Sequence, residues 1–123
     1  RTLYFGINRF LEKISNSRLD GSFIKLLNQI EKTHLLILDD FGLHPMDGQT
    51  RLALLQILED RYGKKSVIIT SQLPINKWHE VIGEKTVADA ILDRIIHESH
   101  RLELKGESLR KKSIKQNQEN DNN

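Results

Sequence analysis

Leu35-Leu36-Ile37-Leu38-Asp39-Asp40 is a run of four apolar residues closed by two acids. A segment that is apolar at every position has no face to turn toward water. It therefore reads as a central strand of a parallel sheet, covered on both sides. The acids fall at the C-terminal end of that strand, which is where open parallel sheets gather their ligands.

The segments around it complete the pattern. Ser66-Val67-Ile68-Ile69-Thr70 is a second β-branched central strand. Between the two, Phe41 to Asp47 is a loop carrying Gly42 and Pro45. From Gln49 to Asp60, Leu52, Leu55, Ile57 and Leu58 outline an amphipathic helix, closed by Tyr62-Gly63-Lys64-Lys65. Toward the N-terminus, Thr2 to Gly6 is a short strand or strand end. Ile7, Phe10, Leu11 and Ile14 then recur at helical spacing, with a break predicted at Ser15-Asn16-Ser17. Asp20-Gly21-Ser22 is a turn and cap signal. Beyond it, Phe23, Ile24, Leu26, Leu27 and Ile30 mark one face of a further helix. Toward the C-terminus, Ile75 to Val81 predicts a short helix. Val87 to His97 predicts a longer one, with Ala88, Ile91, Leu92, Ile95 and Ile96 inward. Arg101 to Leu104 alternates like an edge strand. From Lys112 onward the polar tail has too few apolar residues to fold. Strands alternating with helices at these intervals give an α/β fold with a mostly parallel sheet.

Composition sets the outer bounds. The 123 residues suit one domain, and 37% hydrophobic with 29% charged residues is a globular balance. No segment is long and apolar enough to span a bilayer, so no membrane partner is expected. The absence of cysteine excludes disulfides and thiolate metal sites and agrees with a cytoplasmic location. A net charge of +2 does not by itself argue nucleic-acid binding, although basic residues collect between Arg94 and Lys112. Arg1 runs almost at once into an apolar stretch and is read as an internal position of a longer protein.

Three groups of residues carry candidate chemistry. One carboxylate of Asp39-Asp40 can hold Mg²⁺ and the other can orient a water, the two tasks that phosphoryl transfer requires; alternatively, the acids only cap a loop. Thr70 or Ser71, at the end of the second strand, can bring a hydroxyl to the same place. Arg94, off the apolar stripe of its helix, is either a solvated charge or a cation offered to a neighbouring subunit. The histidines at 34, 44, 79, 97 and 100 supply no complete ligand set. Trp78 is expected to pack against the sheet or a neighbouring subunit.

Taken in order, Leu35 to Leu43, Glu59 to Gly63, Ile69 to Pro74, Trp78-His79-Glu80, Ala88 to Arg94 and Gly106 to Arg110 resemble the IstB-like ATP-binding family. These are helper ATPases of transposition, akin to the DnaC/DnaI helicase loaders within the AAA+ proteins. The resemblance runs from about Tyr4 to Lys112. It implies a P-loop NTPase of three-layer α/β/α architecture, using ATP and Mg²⁺. By the same resemblance Asp39 looks like the metal-associated acid of the Walker B segment. Asp40 stands where many relatives carry a catalytic Glu. Ser71, with Thr70 beside it, is similar to the phosphate-sensing position after the second strand. Arg94 resembles an arginine finger acting on a partner's nucleotide, and Arg110 a second phosphate sensor. A finger shared head to tail implies a homo-oligomer, as a ring or filament. The implied partners are DNA, contacted mainly at its phosphates, and a transposase or a helicase.

One element of the family pattern has no match. No Gly-x-x-x-x-Gly-Lys-[Ser/Thr] phosphate loop occurs among these residues. The expectation is therefore the C-terminal part of such a domain over residues 1–111, with a polar tail over 112–123. Alone it should bind ATP poorly or not at all. A helicase loader, and a non-enzymatic remnant that binds partner subunits, are the alternatives.

Overall fold

A computed structural model describes residues 1–42 and 45–97. The tail, the Arg101–Leu104 segment and Arg110 lie outside the described residues. Three parallel strands, β1 (Thr2–Gly6), β2 (Leu35–Asp39) and β3 (Ser66–Ile69), form a sheet in the order β1-β2-β3. The apolar run is thus the middle strand, as its sequence predicts, whereas β3, also expected to be central, has a single neighbouring strand among the described residues. Tyr4 lies opposite Ile37, and Ile37 opposite Ile68, so like positions form rows across the sheet.

Helices α1 (Ile7–Asp20) and α2 (Phe23–Glu31) connect β1 to β2, and α3 (Gly48–Arg61) connects β2 to β3. After β3 come a 3₁₀ turn (Ile75–Lys77), α4 (Trp78–Ile82) and α5 (Lys85–Ile96). The predicted break within α1 does not occur. Buried Ser17 turns its hydroxyl back onto the Ile14 carbonyl at 2.7 Å, so a residue that favours turns is satisfied inside the helix. The chain stops instead at Gly21, whose φ of 82° takes the left-handed conformation that closes a helix. Asp20 Oδ1 then accepts from the Ser22 amide at 2.9 Å and from its hydroxyl.

Period-two alternation decides which strand residues are buried. Leu3, Phe5, Leu36, Leu38, Val67 and Ile69 point to one face. There they pack with Ile7, Phe10 and Ile14 of α1, Leu26 and Ile30 of α2, and Leu54 and Ile57 of α3. We call this the inner face. Tyr4, Ile37 and Ile68 point to the other, outer face, where Tyr4 is 61% and Ile68 46% exposed. Among the described residues the helices that meet the sheet gather on the inner face, so the outer positions of β2 are less covered than its uniformly apolar sequence predicts.

Helix faces differ in detail from the periodic reading. In α3, Ala53, Leu54, Ile57 and Leu58 are buried while Leu52 is exposed. That helix meets the sheet on one side and α5 on another, which widens and rotates its buried stripe. Ile24 and Ile96, expected inward, are exposed. The stripe of α3 ends on Arg61, which is 1% exposed. Its Nη1 donates to Ile30 and Thr33 carbonyls (both 2.8 Å) and its Nη2 to those of His34 (3.0 Å) and Ser66 (2.7 Å). One guanidinium thereby ties the end of α2, the entry to β2 and the start of β3 together.

Candidate functional site

Asp39 closes β2 on the outer face, with Gly6 opposite it on β1. On the other side Leu38 pairs with Ile69, so Thr70 comes next to Asp39. The two flanking strands each give the carboxylate a hydroxyl. Thr70 Oγ1 donates to Oδ1, and the Tyr4 phenol donates to Oδ2 at 2.5 Å. Both bonds favour the ionised form. The Thr70 hydroxyl first, and Tyr4 after it, hold Asp39 below the usual carboxylate range. The same bond to Asp39 raises the Tyr4 phenol, which therefore stays a donor.

Asp40 has a φ of 66°, the one non-glycine residue with positive φ among those described. Asp tolerates this left-handed region better than most residues. The bend turns the Asp40 amide onto Thr70 Oγ1 at 2.9 Å and the Phe41 amide onto the Thr70 carbonyl at 2.8 Å. Thr70 Oγ1 thus accepts from one acid's backbone and donates to the other's side chain. Beside the acids is an open hollow of about 350 Å³, lined by Tyr4, Gly6, Ile7, Asn8, Arg9, Asp39 and Asp40. A Cβ built on Gly6 would meet nothing within 4 Å, so the space next to Asp39 is clear. Tyr4, Asn8 and Arg9 escape a reading by motif. The available signal is that β1 passes directly into α1 at Gly6-Ile7, on the strand that neighbours the acids.

The remaining sequence candidates separate. Ser71 is one residue further along than Thr70, and alternation sends it away from the acids. Its hydroxyl donates to the Phe41 carbonyl at 2.5 Å and accepts from the Leu73 amide at 3.0 Å. Trp78 is buried, tilted against Phe41 with ring centroids 4.5 Å apart, and its indole N–H donates to the Leu73 carbonyl at 2.9 Å. The loop after β2, the loop after β3 and α4 thus form one packed unit. Arg94 lies over the Tyr62 ring, 4.6 Å from its centroid. Tyr62 follows α3 and precedes the start of β3, so Arg94 belongs to the end of the sheet remote from Asp39. His79 pairs with Asp89 at 2.6 Å on the surface.

No cluster of three or more His, Cys, Asp or Glu that could hold a metal occurs among the described residues. Two adjacent carboxylates fit a hard cation that keeps water and substrate oxygens for its remaining positions, which is how Mg²⁺ is usually held. No described helix is long and apolar enough to cross a membrane.

Comparison with known proteins agrees with this geometry. The family model for IstB-like ATP binding protein matches residues 1–117. A protein of Sinorhizobium fredii, named for an insertion sequence and for ATP binding, is 52% identical over 109 residues, or 89% of this chain and 44% of that protein. Another, named as an ATP-binding protein of an insertion sequence of Pseudomonas aeruginosa, is 34% identical over 91% of this chain and 42% of its own length. The chain therefore spans less than half the length of these relatives. In fold it is similar to the DnaC helicase loader, whose crystal structure superposes with a TM-score of 0.57 at 20% identity, covering 76% of this chain and 58% of that one. With the family model matched over nearly the whole sequence, the chain belongs to the IstB-like ATP-binding proteins.

Proposed function

We propose that the acidic end of β2 is the cation side of an ATP site, and that the chain works within an ATP-driven helper protein acting on DNA in insertion-sequence transposition. The observation that carries this reading is the convergence of Asp39, Asp40 and the Thr70 hydroxyl at one edge of a parallel sheet, beside an open hollow.

Asp39, kept ionised by its hydroxyl partners, would hold Mg²⁺. Bound there, the ion would supply charge neutralisation at phosphate oxygens. Asp40, presented by its left-handed backbone at the rim of the hollow, accepts a proton from, or orients, a water. Thr70 fixes both acids relative to each other, and Arg9 adds positive charge to the same hollow. Ser71 serves the site through the Phe41 backbone. Arg94, remote from the acids of its own chain, acts on a neighbouring subunit's nucleotide in a head-to-tail homo-oligomer. Arg110 completes the phosphate contacts from its own subunit.

The phosphate cradle comes from outside these 123 residues. Backbone N–H groups and a lysine are what such a cradle needs, and no motif here supplies them together. DNA is contacted mainly through its phosphates, so binding weakens steeply with salt. The insertion-sequence names of the relatives favour a transposase as partner. The likeness to the helicase loader is one of fold.

The coding DNA ahead of the Arg1 codon tests the reading. An in-frame Gly-x-x-x-x-Gly-Lys-[Ser/Thr], within roughly the 30 residues of one βαβ unit, supports it. Unrelated sequence or a stop codon there overturns it.

A further inference from the structure

We propose that Tyr4 is a positioning residue for the acid at the end of β2, its phenol clamping one oxygen of Asp39 while Thr70 clamps the other. The proposal rests on the reading of Asp39 as the cation-holding acid and adds a residue to that site.

The clamp follows from register. Gly6 is directly opposite Asp39 on β1 and has no side chain to offer. Tyr4 is two residues earlier and so shares the outer face. It pairs with Ile37, one step short of the acid on the same face of β2. A side chain leaning along its strand must be long and end in a donor to reach Asp39 from there, and tyrosine meets both conditions. Its hydroxyl stands 2.5 Å from Oδ2.

Packing does not account for this side chain. Tyr4 is 61% exposed and outside the hydrophobic core, in contrast to its neighbours Leu3 and Phe5, which pack against it. The hydroxyl could bond to water at no loss, yet it is turned to the carboxylate.

The clamp also leaves the acid usable. Each carboxylate oxygen has two lone pairs, so one hydroxyl donor per oxygen leaves a position for a cation on each. With Oδ1 fixed from β3 and Oδ2 from β1, the carboxylate plane is set before any ion arrives. The clear space above Gly6 lies next to it. Partners of this kind orient metal ligands, and losing one typically costs about 10- to 100-fold in metal affinity.

The test is Tyr4→Phe, which keeps the ring and removes only the donor. The probe is Mn²⁺ alone, added to the isotopically labelled full chain, with NMR broadening of the Asp39, Asp40 and Thr70 amides as readout. Amides of α3 and α5 report the fold. In the wild type the Asp39, Asp40 and Thr70 amides should broaden first. In Tyr4→Phe the Mn²⁺ concentration for half-broadening should rise by about tenfold or more, with α3 and α5 shifts unchanged. Equal midpoints in the two proteins would overturn the clamp and leave the cation reading of Asp39 standing. Absence of local broadening in the wild type, up to general broadening of the spectrum, would overturn both.

Discussion

Replacing Arg61 with methionine tests the account of the fold most severely. The side chain is 1% exposed, and its four bonds to carbonyls measure 2.7 to 3.0 Å. Counted singly, hydrogen bonds from a charged donor contribute about 1.5–3 kcal/mol each. Four would sum to roughly 6–12 kcal/mol, close to the whole stability of a domain. Two effects reduce the net loss. Burying a guanidinium without a carboxylate partner costs several kcal/mol, which methionine escapes. In addition, the Ile30 carbonyl keeps the Thr33 amide at 3.1 Å, and the His34 carbonyl keeps the Ser66 amide at 3.2 Å. The Ser66 carbonyl likewise keeps the Leu36 amide through the parallel pairing of Leu35 with Ser66. What remains is mainly the Thr33 carbonyl short of a donor, at about 1–3 kcal/mol. We therefore expect a loss of about 2 kcal/mol. At a urea dependence near 2 kcal/mol/M, the unfolding midpoint should fall by about 1 M. Trp78, the single tryptophan, is buried against Phe41 and gives a fluorescence readout of that transition. A midpoint lowered by less than about 0.5 M would refute the reasoning.

Two further predictions concern helix ends and assembly. Asp47 caps α3 through the Thr50 amide at 2.8 Å, and Glu84 caps α5 through the Thr86 and Val87 amides. These amides, chiefly that of Thr50 for Asp47 and that of Val87 for Glu84, hold both carboxyls below their ordinary range. A carboxyl depressed in the folded state stabilises at neutral pH and loses that contribution as pH falls through the folded value. Stability should therefore decline between about pH 5 and pH 2, and Asp47→Ala, costing about 1 kcal/mol at neutral pH, should flatten the decline in urea titrations. Arg94→Ala, which removes the stacking on Tyr62 along with the charge, should abolish ATP-dependent assembly of the complete protein in sedimentation while leaving its monomer folded. Unchanged assembly and turnover would rule out the finger.

The α/β class, the parallel sheet and the middle position of Leu35–Leu38 were legible because a uniformly apolar run followed by acids has few other readings. The positions of the connecting helices were legible from apolar spacing. What escaped depended on a local hydroxyl bond in one case and on tertiary neighbours in the others. Ser17 stayed helical because its hydroxyl found Ile14, and Leu52 turned outward because α5 and the sheet together rotate the stripe of α3. Arg61, a charge in a core position, is invisible to hydrophobic periodicity because carbonyls from three segments take up the donors of its Nη1 and Nη2. At the site, Asp39 and Asp40 were readable from strand and charge alone. The choice of Thr70 over Ser71 beside the acids needed the strand's phase, and Tyr4 needed the register of β1 against β2.

The central claim is that Asp39 holds the cation of an ATP site. Mg²⁺-dependent ATP turnover of the complete protein, compared between wild type and Asp39→Asn, tests it most directly. The substitution keeps the size, removes the charge and turns one of the two acceptor oxygens into an amide donor. The account predicts turnover in the wild type and a fall of about 100-fold or more in the variant, with an unchanged fold. Equal turnover in the two proteins would contradict it.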